Sequence, residues 1–405
     1  MKTLLDAPRQ GKRVLLTGGT GYLGSLLAAQ ILHDGWADHL VLPTRKPSDL
    51  GPIPNEVRTE LHALGAAPDR HLHRVTSIHW QGAESATAES LRALLETHKV
   101  DTIVHCAGCL DYFDEQALTA VNVDFTTRLV QAAKQAGVGC FVFISTAYAA
   151  GYSGSTIPEA ALAAPHGDPT SYTLTKRAAE QIVAESGVPF LIVRPSIVIG
   201  DSTTGRYTGK RYGLYQQWMG IERLLTDRYH PELHTVATEQ PVNLLHQDAF
   251  QATMASILRW VPFSAHINVV TDSDTAPSMR DLWRLICEVT RPRSVVFYDS
   301  LQQVNIKALD TRQRSYLTFA RTNLEIGAHD WRFDREWQRL LRQRGLVGVD
   351  TSMATLKVCQ DRFVRSSLPL QKYVDRFRPE FPAEVRYQKF DGHPLQSPAF
   401  DHELA

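Results

Sequence analysis

The sequence predicts an α/β chain: a doubly wound parallel sheet followed by a smaller, mainly helical C-terminal domain. Two patterns predict it. Over roughly the first two hundred residues, short apolar runs alternate with helix-length amphipathic runs, and a glycine-rich turn joins the first run to the first helix. Beyond residue 200 the alternation gives way to loop-like sequence and then to helical periodicity.

The strands read as buried on both faces because their apolar runs are nearly continuous. They are "RVLLTG" (13–18), "LVLPT" (40–44), "DTIVHCAG" (101–108), "CFVFIST" (140–146) and "PFLIVRPS" (189–196). Helical patterns lie between them at 23–33, 86–97, 115–136 and 171–186. The segments "PVNLLHQDAFQATMASIL" (241–258) and "HINVV" (266–270) are expected to return to the first domain as a helix and a last strand. The expected division is therefore 1–200 plus about 241–272 for a nucleotide-binding domain, and 201–240 with 273–380 for a helical substrate domain. Residues 381–405, proline-rich and without a period, read as an extended or disordered tail.

Composition narrows the function classes. The 405 residues carry 43 basic and 43 acidic side chains, so no net field points to nucleic acid or an anionic membrane. No apolar run approaches the roughly 20 residues of a membrane-spanning helix, and no signal-peptide pattern precedes the first strand. Five scattered cysteines suggest free thiols in a reducing compartment, so a cytoplasmic location is expected. Cys106 and Cys109 form a Cys-x-x-Cys, but no partner pair accompanies them, and they read as small residues closing a buried strand. No metal site is expected.

The turn "LLTGGTGYLGSLL" places Gly18, Gly21 and Gly24 between the first strand and the first helix. Glycines there allow a tight turn, close approach of backbone to a pyrophosphate, and tight helix–strand packing. Helix N-terminal amides then hold the anion without a cationic side chain. The second strand ends "VLPTRKP", so Thr44, Arg45 and Lys46 stand where a carboxylate would select NAD. Two cations there suit a 2′-phosphate, which points to NADPH.

Further along, "SYTLTK" sets Tyr172 four residues before Lys176, one turn apart on one helix face. Tyrosine, with an ordinary pKa of ~10, is a poor acid at neutral pH, and a neighbouring ammonium is expected to lower that value. Hydride addition to a carbonyl builds charge on oxygen and needs a placed donor and then a proton.

Taken in order, "TGGTGYLG", "HCAG", "VNVDFTTRLVQAA", "FISTAYAAG" and "SYTLTK" resemble the extended short-chain dehydrogenase/reductases over about residues 12–200. The resemblance implies a Rossmann-like domain in which Thr146, Tyr172 and Lys176 form the catalytic group. Aligned on that family, Thr146 rather than Ser145 faces the substrate, and Asn122 supports the hydrogen-bond network. It also implies cofactor contacts from Thr20, Tyr22, Leu23, Ala107 and Pro195, alongside Tyr172 and Lys176. One departure stands out: where many relatives carry Gly-Asp after the third strand, this chain has Gly82-Ala83.

From residue 143 onward, "STAYAAG", "SYTLTKRAAEQIV" and "LIVRPSIVIGDS" are similar to the thioester-reductase and fatty acyl-CoA reductase branch, with Arg194-Pro195-Ser196 the telling piece. That branch implies NADPH-dependent reduction of an acyl thioester, carried by coenzyme A or a phosphopantetheinyl carrier protein, to an aldehyde or onward to an alcohol. Arg206, Lys210 and Arg211, or Arg332, Arg335, Arg339, Arg342 and Arg344, could meet a phosphate or an acidic carrier; a solvated face explains either set as well. His246 and Asp248 read as structural. The alternatives are a ketone, aldehyde or hydroxysteroid-type reductase of the same fold, and a non-catalytic redox sensor, which would not need the Tyr/Lys pair.

Overall fold

The computed structural model describes residues 2–45, 51–83, 85–346 and 348–378. Lys46 and the expected tail at 381–405 lie outside the described residues.

In chain order the elements begin β1 (Gly11–Thr17), α1 (Tyr22–His33), β2 (Ala37–Thr44), α2 (Asn55–Ala63), β3 (Val75–His79), α3 (Ala88–Thr97) and β4 (Thr102–His105). There follow α4 (Glu115–Leu118), a π-helical turn at Thr119–Asp124, α5 (Phe125–Gln135), β5 (Cys140–Ile144), α6 (Ser171–Glu185), β6 (Phe190–Pro195) and β7 (Ile197–Ile199). Next come α7 (Leu214–Leu224), β8 (Glu232–Val236), β9 (Leu244–His246), α8 (Gln247–Trp260), β10 (Ala265–Val269), α9 (Met279–Thr290) and β11 (Ser294–Tyr298). The helices α10 (Thr311–Ala328), α11 (Glu336–Gln343), α12 (Met353–Ser366) and α13 (Leu368–Phe377) complete the described chain.

These elements form two compact units. The first is Met1–Ser196 with Ala249–Val270 and Phe333–Gly348; the second is Ile197–Asp248 with Thr271–Arg332 and the described residues from Val349 onward. In the first unit seven parallel strands run in the order β3-β2-β1-β4-β5-β6-β10. The order reverses between β1 and β4, and in such sheets ligands bind at that switch point, outside the carboxyl ends of the strands. One core packs sheet residues Leu15, Ile103, Phe141 and Phe143 against Leu129 of α5 and Val183 of α6. The second unit has its own core, built around Trp218, Trp283, Tyr316 and Phe363.

Three local features differ from the sequence reading. β3, "VTSIH", is an additional strand; it lies at the sheet edge, half-buried, so it lacks the continuous apolar run of the inner strands. The helix expected over 115–136 is broken by the π turn at Thr119–Asp124. Residues 333–348 pack with the first unit rather than with the helices that surround them in sequence. Buried polar contacts hold them there: the Asn268 amide donates to the Asp334 carbonyl, and Glu159 accepts from the Trp337 N–H at 3.0 Å.

Candidate active site

The site grows from the carboxyl ends of β1, β4 and β5 and the start of α6. At the end of β1, Gly18 has φ +75°, a left-handed conformation that favours glycine. A Cβ on Gly18 would lie 2.6 Å from the Ala107 nitrogen, and one on Gly24 would meet the Gly18 carbonyl oxygen at 2.0 Å. Both positions therefore require glycine for space, and Gly18 for its backbone as well. Gly21 is the N-cap of α1 and offers no side chain to the helix, so the helix begins without a side-chain cap. This cradle fits a dinucleotide pyrophosphate: close backbone, no Cβ in the way, and a helix N-terminus facing the anion. Thr20 is exposed at its tip, and Arg45 is exposed immediately after β2.

Beneath the cradle a buried polar chain fixes β1 to β4. Thr17 Oγ1 lies 2.7 Å from His105 Nδ1 and accepts from the Ala107 N–H at 3.3 Å, while His105 Nε2 lies 3.0 Å from Thr126 Oγ1. The His105 ring is boxed by Phe125, Phe141 and Phe143, and burial pushes its pKa down to about 3, so the ring stays neutral. No local pattern in the sequence announces this network. It exists because strand pairing sets Thr17 opposite His105.

Asn122 sits in the π turn, a helical irregularity frequent at functional sites. Its Oδ1 accepts from the Cys109 N–H at 2.8 Å, and its Nδ2 donates to the Cys109 carbonyl and to Thr175 Oγ1, each at 3.1 Å. One amide therefore joins the segment after β4 to α6, at a residue between Tyr172 and Lys176. The helix α6 starts with a capping box: Thr170 Oγ1 accepts from the Thr173 N–H, and Thr173 Oγ1 accepts from the Thr170 N–H.

Tyr172 and Lys176 project from this helix on one face. Lys176 is buried, donates to the Ile144 carbonyl at 2.7 Å and lies 4.1 Å from the centre of the Phe143 ring. Burial lowers its pKa to about 8. Burial also pushes the Tyr172 hydroxyl up, with Tyr112 adding to the rise, and no hydrogen bond joins it to the Lys176 amine. The Lys176 amine donates to the strand end, and desolvation is the largest influence on the Tyr172 hydroxyl. Tyr172 consequently keeps its proton across the neutral range, as a donor must.

Thr146 is buried, extended, and caps the short turn Ala147–Ala150, accepting from the Tyr148 N–H at 3.4 Å. Ser145 is buried with its hydroxyl unpartnered. Arg177, next to Lys176, donates to both oxygens of Asp168 at 2.5 and 2.7 Å and to the Ala149 carbonyl at 3.0 Å. Pro195 ends β6 one residue after Arg194, whose buried guanidinium binds Glu180 of α6 and the carbonyls of Pro158 and Ala160. Arg177, Asp168 and Tyr112 escaped sequence reasoning, because their partners are distant in the chain or carry no spacing signature.

Elsewhere several charged candidates are engaged in the fold. Arg211 is buried against Glu222 at 2.7 Å and is not a surface cation. Arg332 pairs with Asp330, Arg339 lies 3.6 Å from Glu336, and Arg344 stacks over Trp260. His246 is held between the Gly200 carbonyl and Thr355, and Asp248 accepts from the amide and hydroxyl of Ser202. The Ala83 carbonyl, at the Gly82-Ala83 departure, accepts from Arg128. Among the described residues no helix is long and apolar enough to cross a membrane.

Sheet order, switch-point cradle and uncapped helix start together define a dinucleotide-binding α/β domain. The chain belongs to the NAD-binding family described as male sterility protein, matched over residues 16–249, and so to the thioester-reductase branch of the extended short-chain dehydrogenase/reductases, a group of oxidoreductases. It is 33% identical over 144 residues to erythronolide synthase EryA2 of Saccharopolyspora erythraea, a stretch that is 33% of this chain and 4% of that protein. Its fold matches the terminal R domain from the myxalamid PKS-NRPS biosynthetic pathway with a TM-score of 0.70 at 17% identity, covering 88% of this chain and 91% of that one. A thiolation-reductase di-domain from an archaeal non-ribosomal peptide synthetase matches with a TM-score of 0.67 at 17% identity, over 92% of this chain and 77% of that one.

Proposed function

We propose that this protein reduces an acyl thioester with NADPH, releasing an aldehyde and a free thiol. The observation that carries the reading is the arrangement on α6: Tyr172 one turn from a buried Lys176 that donates to the end of β5, with Thr175 between them latched to Asn122. Family membership supports the reaction class. The R-domain and thiolation-reductase structures share the fold, which accords with a substrate carried on coenzyme A or a phosphopantetheinyl carrier protein.

In this reading the first unit binds the dinucleotide and the second contributes to substrate binding. Gly18, Gly21 and Gly24, with Thr20, Tyr22 and Leu23, would hold the pyrophosphate, and Ala107 and Pro195 would flank the nicotinamide end. Arg45 with Lys46 would meet the 2′-phosphate that selects NADPH. The bound dihydronicotinamide would supply the hydride. Thr146 and Tyr172 hydroxyls orient the thioester oxygen and stabilise its developing charge. Tyr172 then gives its proton to that oxygen, while Lys176 holds positive charge beside the phenolate it leaves. Collapse of the resulting thiohemiacetal breaks the carbon–sulfur bond and releases the aldehyde and thiol. No covalent bond to the protein is needed.

The test follows NADPH absorbance and released thiol with medium- and long-chain acyl-CoAs. Oxidation matched by thiol release, and lost in Tyr172→Phe, is the expected result; the ratio of NADPH to thiol separates aldehyde from alcohol as product. Turnover of simple aldehydes or ketones with no thiol release from any thioester would replace this reading with a carbonyl reductase.

A further inference from the structure

The buried His105 ring takes no part in the chemistry proposed above, yet both of its nitrogens are engaged. Nδ1 lies 2.7 Å from Thr17 Oγ1, and Nε2 lies 3.0 Å from Thr126 Oγ1. His105, Thr17 and Thr126 are all buried. In such a place every donor and acceptor needs a partner within the protein, because no water compensates for an unmet one.

Two backbone groups fix the direction of each bond in this chain. A carbonyl only accepts, so Thr126 Oγ1, 2.7 Å from the Asn122 carbonyl oxygen, gives its single proton there. The Thr126 oxygen can then only accept from the ring, which places a proton on His105 Nε2. At the other end an amide only donates, so Thr17 Oγ1 accepts from the Ala107 N–H at 3.3 Å. Among the described residues the Thr17 hydroxyl has no other acceptor, so its proton goes to His105 Nδ1, which must be bare to receive it. A doubly protonated ring would set two protons against each other at Thr17. Burial among Phe125, Phe141 and Phe143 opposes that form as well, and the charge of Lys176 adds to the effect.

The ends of the chain lie at the two parts of the site. The Ala107 amide is where the cradle closes: a Cβ on Gly18 would lie 2.6 Å from its nitrogen. Asn122 holds Cys109 and, through Thr175, the stretch of α6 between Tyr172 and Lys176. We propose that His105 is a positioning residue: as the Nε2–H tautomer it carries one unidirectional chain of hydrogen bonds from the cradle to the Asn122 turn, and so sets the cofactor end of the site against the helix that bears Tyr172 and Lys176. What is positioned rests on the function proposed above; the tautomer does not. Phenylalanine would fill this aromatic box, but only a ring with a donor and an acceptor on separate edges satisfies both hydroxyls. Reversal is barred because each end is a backbone group that cannot change role, so cutting one link releases both sides.

The test has a spectroscopic and a kinetic arm. In protein labelled with nitrogen-15 histidine, long-range proton–nitrogen spectra report the tautomer of each of the 16 histidines. The His105 signals are assigned by their loss in His105→Gln or, should that variant not fold, by their shift in Thr126→Val. They should show Nε2–H throughout the range of about pH 5 to 8. An Nδ1–H ring, or an imidazolium in that range, overturns the proposal. In the kinetic arm Thr126→Val should lower kcat about tenfold and leave the Kd for NADPH within about twofold, with most activity restored in Thr126→Ser. Thr17→Val combined with Thr126→Val should lose no more than about the worse single variant, since one cut already breaks the chain. An unchanged kcat in Thr126→Val, no rescue by serine, or losses that multiply in the double variant each overturn the positioning role. If aldehydes are reduced and thioesters are not, the thioester reading falls and the same comparison is made on decanal; the tautomer is read without substrate and stands apart from that outcome.

Discussion

At the scale of the residue, two groups set the pH behaviour of the site, and burial governs both. Tyr172 is pushed up and stays protonated, so it does not limit activity on the acid side or near neutrality. Lys176 is pushed down to about 8 from the ordinary 10.5. A lysine with a lowered pKa is charged below that value and loses its charge as pH rises through it. If the ammonium supports the Tyr172 phenolate, kcat should fall as pH passes about 8. Lys176→Met should be inactive at every pH. A kcat that climbs steadily above that pH in the wild-type enzyme would remove Lys176 from the charge-stabilising role.

At the scale of the element, α6 is tied turn by turn. Its first turn is capped by Thr170 and joined through Ser171 to Glu115; Thr175 meets Asn122, Lys176 meets the end of β5, and Glu180 meets Arg194 of β6. Arg177 adds a link of a different kind, since its partners Asp168 and Ala149 lie in the segment between Thr146 and Tyr172. If Thr146 and Tyr172 act together on the substrate, Arg177 would be a positioning residue for them. Small errors in such placement are costly, about a hundredfold for a displacement on the order of 1 Å. Arg177→Ala is expected to lower kcat about tenfold or more while leaving the Kd for NADPH unchanged, with partial recovery in Arg177→Lys. Equal weakening of cofactor binding and turnover would mean a general loss of structure instead.

At the scale of the whole molecule, the first unit is assembled from three separated stretches of chain, and Glu159 touches all of them. Its carboxylate accepts from Lys2 at 2.6 Å, from the Asn268 N–H at 3.1 Å and from the Trp337 N–H at 3.0 Å. Burial raises its pKa despite these partners, a sign that desolvation is substantial. Removing the acceptor strands two backbone donors in the interior, a loss of about 1–3 kcal/mol for each buried group left unsatisfied. Glu159→Ala should accordingly lower the urea midpoint of the first unit, followed by near-ultraviolet circular dichroism. An unchanged midpoint would show that water replaces the carboxylate there.

These scales differ in how far the sequence reaches. The doubly wound fold was legible because βαβ units are local: each strand, turn and helix carries its own apolar period, and the glycine turn sits at a fixed place between them. The glycine turn with Gly18 and Gly24 was legible for the same reason, and Tyr172, Lys176, Thr146 and Asn122 were singled out because each belongs to a short contiguous motif. The edge strand β3 was not, since an edge needs no continuous apolar run. Contacts made by pairing distant segments were equally silent: Thr17 with His105, Arg177 with Asp168, and Glu159 with Lys2, Asn268 and Trp337. The direction of the Tyr172 shift belongs with them. Spacing puts an amine one turn away, but desolvation by the surrounding fold, and the Ile144 carbonyl that takes the amine's hydrogen bond, decide the balance. The sequence by itself determined the architecture, because strand, turn and helix are written in local periodicity, and it nominated a reactive group through short motifs that resemble a family. Only the tertiary structure decided how each group is tuned and held, because burial and partner choice depend on residues far apart in the chain.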